Sequence, residues 1–176
     1  SYDTYTEDAF IIKLNAGIDN INWGSCVGGL VGNGTSYSND NFADIDFNPT
    51  TNDVYVTGYC FANSYPIVNV AGSFTGVPNT ASGKQYIITQ FSNSGTMKWS
   101  QLFGKYAQGR AIKFLPNGNY IVAGESYGTV VTFQTLNNGS MYFQGTNAGA
   151  GDATFAVFNS NNQLVHSSYL GGTGTE

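Results

Sequence analysis

The sequence predicts an all-β protein made of four-stranded antiparallel blades of a β-propeller, present as an incomplete set. Three observations predict it. The stretch Arg110–Ser126, RAIKFLPNGNYIVAGES, reads as two short strands around a tight turn, and Ala43–Tyr59, ADIDFNPTTNDVYVTGY, repeats it. The segments that flank the two copies recur in the same order. Composition agrees: 23 Gly, 15% aromatic and only 10% charged residues suit strands joined by many polar turns. No window places helix formers at 3.6-residue spacing.

In Arg110–Ser126, Ile112 and Phe114 alternate with Ala111 and Lys113, the period of a strand with one buried face. Leu115-Pro116-Asn117-Gly118 stops the strand, because proline fixes φ and Asn-Gly tolerates positive φ. Tyr120–Gly124 then resumes, apolar on both faces, as a sandwiched strand does. In the earlier copy Ile45 and Phe47 alternate, Asn48–Asp53 is the turn, and Val54–Gly58 is the second strand.

In chain order, Ser1–Glu7 is a polar lead-in, Asp8–Leu14 a strand, Asn15–Asn20 a turn, and Ile21–Gly29 a second strand ending in a Gly pair. A Gly/Asn/Ser-rich loop, Leu30–Asn41, leads to the first hairpin. The connection Cys60–Gly83 carries Tyr65-Pro66 and Val77-Pro78 and reads as an extended excursion. Gln85–Phe91 and Thr96–Gly104 repeat the first strand pair, with Trp99 falling on Trp23. A short loop, Lys105–Gly109, precedes the second hairpin, and a second long connection covers Tyr127–Gly151. Asp152–Phe158 and Leu164–Gly172 are a third copy of the strand pair. The repeat is roughly 70 residues, longer than the roughly 40–50 of common propeller repeats, and the excess lies in the two connections. The units are residues 8–29 (the outer half of a blade), 42–104 (a blade with insertion 60–83) and 109–172 (a blade with insertion 127–151). About two and a half blades do not close a ring of four to eight. The expected partners are therefore the remaining blades or neighbouring copies, engaged through open sheet edges.

DAFIIKL…WGSCVGG…ADIDFNPTTNDVYVTGY resembles the bacterial β-propeller repeat often called the SBBP repeat, and AIKFLPNGNYIVAGES resembles the related delta-60 repeat. The similarity spans nearly everything outside the two long connections. It implies a secreted or cell-surface protein, commonly bacterial, whose propeller is a non-catalytic structural or adhesive module of something larger. The acidic loop that follows the Gly pair in that family is missing at Lys105–Gly109, and Lys84-Gln85 replaces the Asp of the other copies.

The remaining residues carry little chemistry. A net charge of −5 offers no footprint for nucleic acid or an anionic membrane, and no apolar run is long enough for a transmembrane helix. An eight-stranded outer-membrane barrel would need longer strands. His166 and Ser167 are neighbours on one strand and point to opposite faces, so they form no nucleophile–base pair. Asp44-x-Asp46-x-Asn48 resembles a calcium loop, but Pro49 stands where the loop needs Gly. Neither a metal nor another cofactor is expected, and no enzyme activity. Asn33-Gly34-Thr35 and Asn138-Gly139-Ser140 fit the glycosylation triplet. Cys26 and Cys60 read either as two buried thiols or as a disulfide. The alternative function is a propeller that binds carbohydrate or protein through its long connections. Its candidate ligand-binding rings are Tyr37, Tyr65, Phe74, Tyr127, Tyr142 and Phe143, and the same rings also read as filling between blades.

Overall fold

The computed structural model describes residues 7–29, 39–61, 65–77, 83–127 and 133–174. Those residues contain ten strands and no helix. They are β1 (Ala9–Leu14), β2 (Ile21–Val27), β3 (Asn41–Phe47), β4 (Val54–Cys60), β5 (Gln85–Phe91), β6 (Met97–Lys105), β7 (Ala107–Phe114), β8 (Tyr120–Ser126), β9 (Ala153–Phe158) and β10 (Leu164–Leu170). They form a β1-β2 pair and two four-stranded meanders, β3-β4-β5-β6 and β7-β8-β9-β10, all antiparallel. One expectation fails. No loop spans Lys105–Gly109: β6 runs through Lys105, β7 starts at Ala107, and Tyr106 alone turns the chain at φ 52°.

The turns follow their chemistry. Asn48 Oδ1 accepts from the Thr50 amide at 2.9 Å, and Asn52 closes that turn at φ 56°. Gly118 closes the second hairpin at φ 81°, donating to the Leu115 carbonyl. The closing glycines of the two hairpins, Gly58 and Gly124, face irregularities in β3 and β7. A Cβ at Gly124 would lie 2.1 Å from the Gln108 carbonyl oxygen, and one at Gly58 1.9 Å from that of Asn41, so neither position admits a side chain.

The middle sheet is covered on both faces, which explains why every residue of β5 is buried. Towards β7–β10, Tyr55, Tyr86, Ile88, Trp99 and Phe103 pack on Ile112, Tyr120, Val122, Ala156 and Phe158. Towards β1–β2, Val56, Cys60, Ile87 and Leu102 pack on Ile11 and Val27. Polar pins cross both interfaces. Asn162, in the β9–β10 turn at φ 58°, accepts from the Tyr55 and Tyr120 hydroxyls (3.2 and 3.0 Å) and donates to Gln90 (2.8 Å). Gln90 donates to Asp53, which also pairs with Lys98. Trp23 Nε1 donates to the Asn93 carbonyl at 3.0 Å.

β3 and β7 lie side by side and are joined through carboxylates. Asp44 Oδ2 accepts from the Ile112 amide at 2.9 Å and Asp46 Oδ2 from the Phe114 amide at 2.8 Å. The other oxygen of each accepts from its own strand, at Ile45 and Phe47. Both acids thus serve an edge amide on each strand, and Lys113 pairs with Asp46 at 3.0 Å. This use accounts for their alternation along the strand.

The described parts of the long connections fold back onto the outermost strands. Val68 bridges to Ser100 of β6, and Leu136 to Ser167 of β10. Ser100 and Ser167 occupy the same position of the repeat, and their buried hydroxyls donate to the Pro66 and Gln134 carbonyls. Two edges that would otherwise be open templates are thereby covered.

Candidate functional site

The sequence-predicted rings do not converge on one surface. Tyr65 is buried with its hydroxyl 2.7 Å from that of Thr89. Phe74 is buried edge-to-face against Phe103 and Phe158, and its amide donates to the Asn162 carbonyl. These two fill space within and between sheets. Tyr142 and Phe143 are exposed over the edge of β10, where the Tyr142 carbonyl meets Nε2 of buried His166 at 2.9 Å and the Phe143 ring lies against the imidazole. The Asn138 amide reaches His166 Nδ1 at 3.4 Å, so the imidazole fastens a connection to β10. Tyr37 and the Asn33 triplet lie outside the described residues. Cys26 is exposed and Cys60 buried, both as thiols.

Tyr127 is different. It belongs to a group of charged and aromatic side chains where β4, β7 and β8 and the entry to β5 come together. Glu125 Oε1 accepts from the Tyr127 hydroxyl at 2.8 Å, from Arg110 Nε at 2.9 Å, and from Gln108 Nε2. Gln108 in turn accepts from Lys84 Nζ at 2.9 Å. The Lys84 ammonium stands 4.3 Å from the centre of the Tyr59 ring and 5.5 Å from that of Tyr127, a cation held between two π faces.

The ladder and its irregularity place these groups, Arg110 being the residue left out of the pairing between Gly109 and Ala111. Gln108 and Arg110 are two apart on β7, and Glu125 pairs with Gln108 across the ladder. Burial alone would raise the Glu125 carboxyl, but hydrogen bonds from Tyr127, Arg110 and Gln108 outweigh it and hold the group below the usual carboxylate range. Burial, then Glu125, pushes the Tyr127 phenol up. Burial, then Arg110, pulls Lys84 down. The hydrogen bond to Glu125 raises Arg110.

Chemically this is a fixed carboxylate and two cations framed by two rings, an arrangement suited to holding a polyhydroxylated or zwitterionic group. Each oxygen or nitrogen acts as a positioned donor or acceptor. Both long connections leave from this end of the sheets, at Cys60 and Tyr127. Sequence reasoning picked out Tyr127 and missed Tyr59, Lys84, Gln108, Arg110 and Glu125. Gln108 falls within the loop that the sequence predicts at Lys105–Gly109, so no strand spacing pointed to its pairing with Glu125.

No family model matches the chain, and no curated protein is significantly similar to it.

Proposed function

We propose that the chain is a non-catalytic structural or adhesive module of a secreted or cell-surface protein, its sheets acting as blades of a β-propeller completed by further blades. One observation carries this reading: the first strands of the two four-stranded meanders, β3 and β7, lie side by side and share the Asp44 and Asp46 carboxylates. Successive meanders joined at their first strands, each rotated from the last by sheet twist, converge towards an axis rather than stacking as a sandwich. Resemblance to the SBBP repeat and the sparsely charged, Gly- and Tyr-rich composition support export. The test is to label intact source cells with a membrane-impermeant reagent and weigh the labelled polypeptide under denaturing conditions. The reading expects a labelled chain well above 18.8 kDa. A polypeptide shielded from the reagent contradicts it.

A second reading, ligand binding, is favoured by the Tyr59–Lys84–Arg110–Glu125–Tyr127 group. Flat rings beside a fixed carboxylate and cations fit a sugar face and its hydroxyls. Screening the protein on a glycan array tests it. Signal abolished by Tyr59→Ala and by Glu125→Gln supports the reading, and an array without signal removes it.

A further inference from the structure

The chain repeats itself and so provides its own control. In the two complete sheets a hairpin occupies the side of the strand pair nearest the neighbouring hairpin: β3-β4 beside β5, and β7-β8 beside β9. The pair β1-β2 corresponds in sequence to β5-β6 and β9-β10, yet among the described residues no strand pairs with the second edge of β1. The Glu7–Asn39 bridge lies just ahead of the strand.

The facing surface registers the same gap. Ile45 and Phe47 of β3 stand where Ile112 and Phe114 stand in β7. Ile112 is 2% exposed and Phe114 packs edge-to-face on Tyr55 at 4.9 Å, because β3-β4 covers them. Ile45 and Phe47 are 54% and 55% exposed. Between them and β1 run two adjoining hollows of about 270 and 250 Å³ that share Ile11, Ile12 and Ile45. An exposed apolar groove bordered by an unpaired strand edge is the surface that strand addition requires.

We propose that this groove is the docking site for one further hairpin of the same repeat, resembling β3–β4, whose second strand adds antiparallel to β1. Register follows from the sheet that has its hairpin. β4 pairs with β5 from Val54↔Phe91 to Cys60↔Gln85, and Leu14 and Asp8 hold the corresponding places of the repeat. The second strand of the occupant therefore runs from Leu14 back to Asp8. An aromatic residue at its second position lies on Phe47 and Val54, as Tyr55 lies on Phe114 and Tyr120. Its first strand does not hydrogen-bond to β3, whose edge amides at Ile45 and Phe47 are already held by Asp44 and Asp46.

The inference rests on the repeat reading of the sheets, and its test reads strand addition at β1 without requiring a closed ring. A peptide with the sequence of residues 41–60, its cysteine replaced as Cys60→Ser, is titrated into the 176-residue protein, and hydrogen exchange is followed along β1. A second arm joins the same sequence ahead of Ser1 through a flexible Gly/Ser linker, matching the order in which each hairpin precedes its strand pair. Expected are slowed exchange of alternate amides between Phe10 and Leu14 in both arms, and a raised melting temperature in the fused chain. A Tyr55→Ala change in the peptide should weaken binding about tenfold, and Phe47→Asp in the protein should abolish it. Unchanged exchange in both arms overturns the proposal. So does protection of β1 that appears without peptide and grows with dimer mass, which would give the edge to a second copy. If the hairpin docks while imaging finds no ring, the propeller reading fails alone.

Discussion

Replacing Asn162 with alanine removes the acceptor of two buried tyrosine hydroxyls and the donor to Gln90 in one step. The Tyr55 and Tyr120 hydroxyls lie 3.2 and 3.0 Å from Asn162 Oδ1, and Gln90 Oε1 lies 2.8 Å from Nδ2. A buried polar group left without its partner costs about 1–3 kcal/mol, and three buried groups are stranded here. Alanine also keeps a Cβ at φ 58° without the local hydrogen bonding that lets asparagine tolerate that region. The expected loss is about 4 kcal/mol, a large share of the roughly 5–15 kcal/mol of a whole domain. Asn162→Gly relieves the backbone but not the hydroxyls, and should lose about 1 kcal/mol less. Urea unfolding followed by tryptophan emission reads both, with the slope unchanged. In a Tyr55→Phe/Tyr120→Phe background the alanine penalty should fall to about 1–2 kcal/mol. An Asn162→Ala protein within about 1 kcal/mol of wild type, or a penalty unchanged in the phenylalanine background, would refute the idea that this asparagine pins the two sheets.

Other outcomes follow from single features. Ile18 is 75% exposed with φ 60°, costly for a β-branched residue, so Ile18→Asn should stabilise by about 1 kcal/mol in the same urea assay. Gly124→Ala drives a Cβ to 2.1 Å from the Gln108 carbonyl and should cost at least about 2 kcal/mol, with loss of the exchange protection between β7 and β8. Asp46 is a linkage test. Burial would raise its pKa, but the Phe114 amide, Lys113 and the Phe47 amide together lower it. A depressed carboxyl contributes stability that is complete above the unfolded value, near 4, and is lost as pH falls through the folded one. Stability measured between pH 6 and 2.5 should therefore fall less steeply in Asp46→Asn than in wild type. Ser167→Ala frees the connection at Leu136 from β10, and exchange at the Leu136 amide should quicken while β8 and β9 stay protected.

The strands were legible because each hairpin carries its own stop signal, Pro116-Asn117-Gly118 or Asn48–Asp53, between residues alternating with period two. A repeat then aligned the weaker segments. The loop expected at Lys105–Gly109 was misread because Gly109 looks like a turn residue. In the fold it is small for another reason, since a Cβ there would meet the Thr57 hydroxyl and the Tyr86 ring. Tyr106 makes the turn instead, at a positive φ that its residue type does not advertise. The connections hid their role because edge-covering rests on backbone bridges and on scattered polar side chains of β6 and β10, Ser100, Gln101, His166 and Ser167, which no spacing reveals. The Lys84–Glu125 group was illegible for a related reason. Its members come from four segments, and their meeting depends on how β7 lies against β4.

Cryo-electron microscopy of the polypeptide as it occurs in its source tests the central claim most directly. The account predicts a ring of four-stranded sheets around a central channel, with β3 and β7 innermost, the Asp44 and Asp46 carboxylates between them, and a hairpin in the groove beside β1. Two sheets packed face to face as a sandwich, or an open row with β3 and β7 at its outer rim, would contradict it.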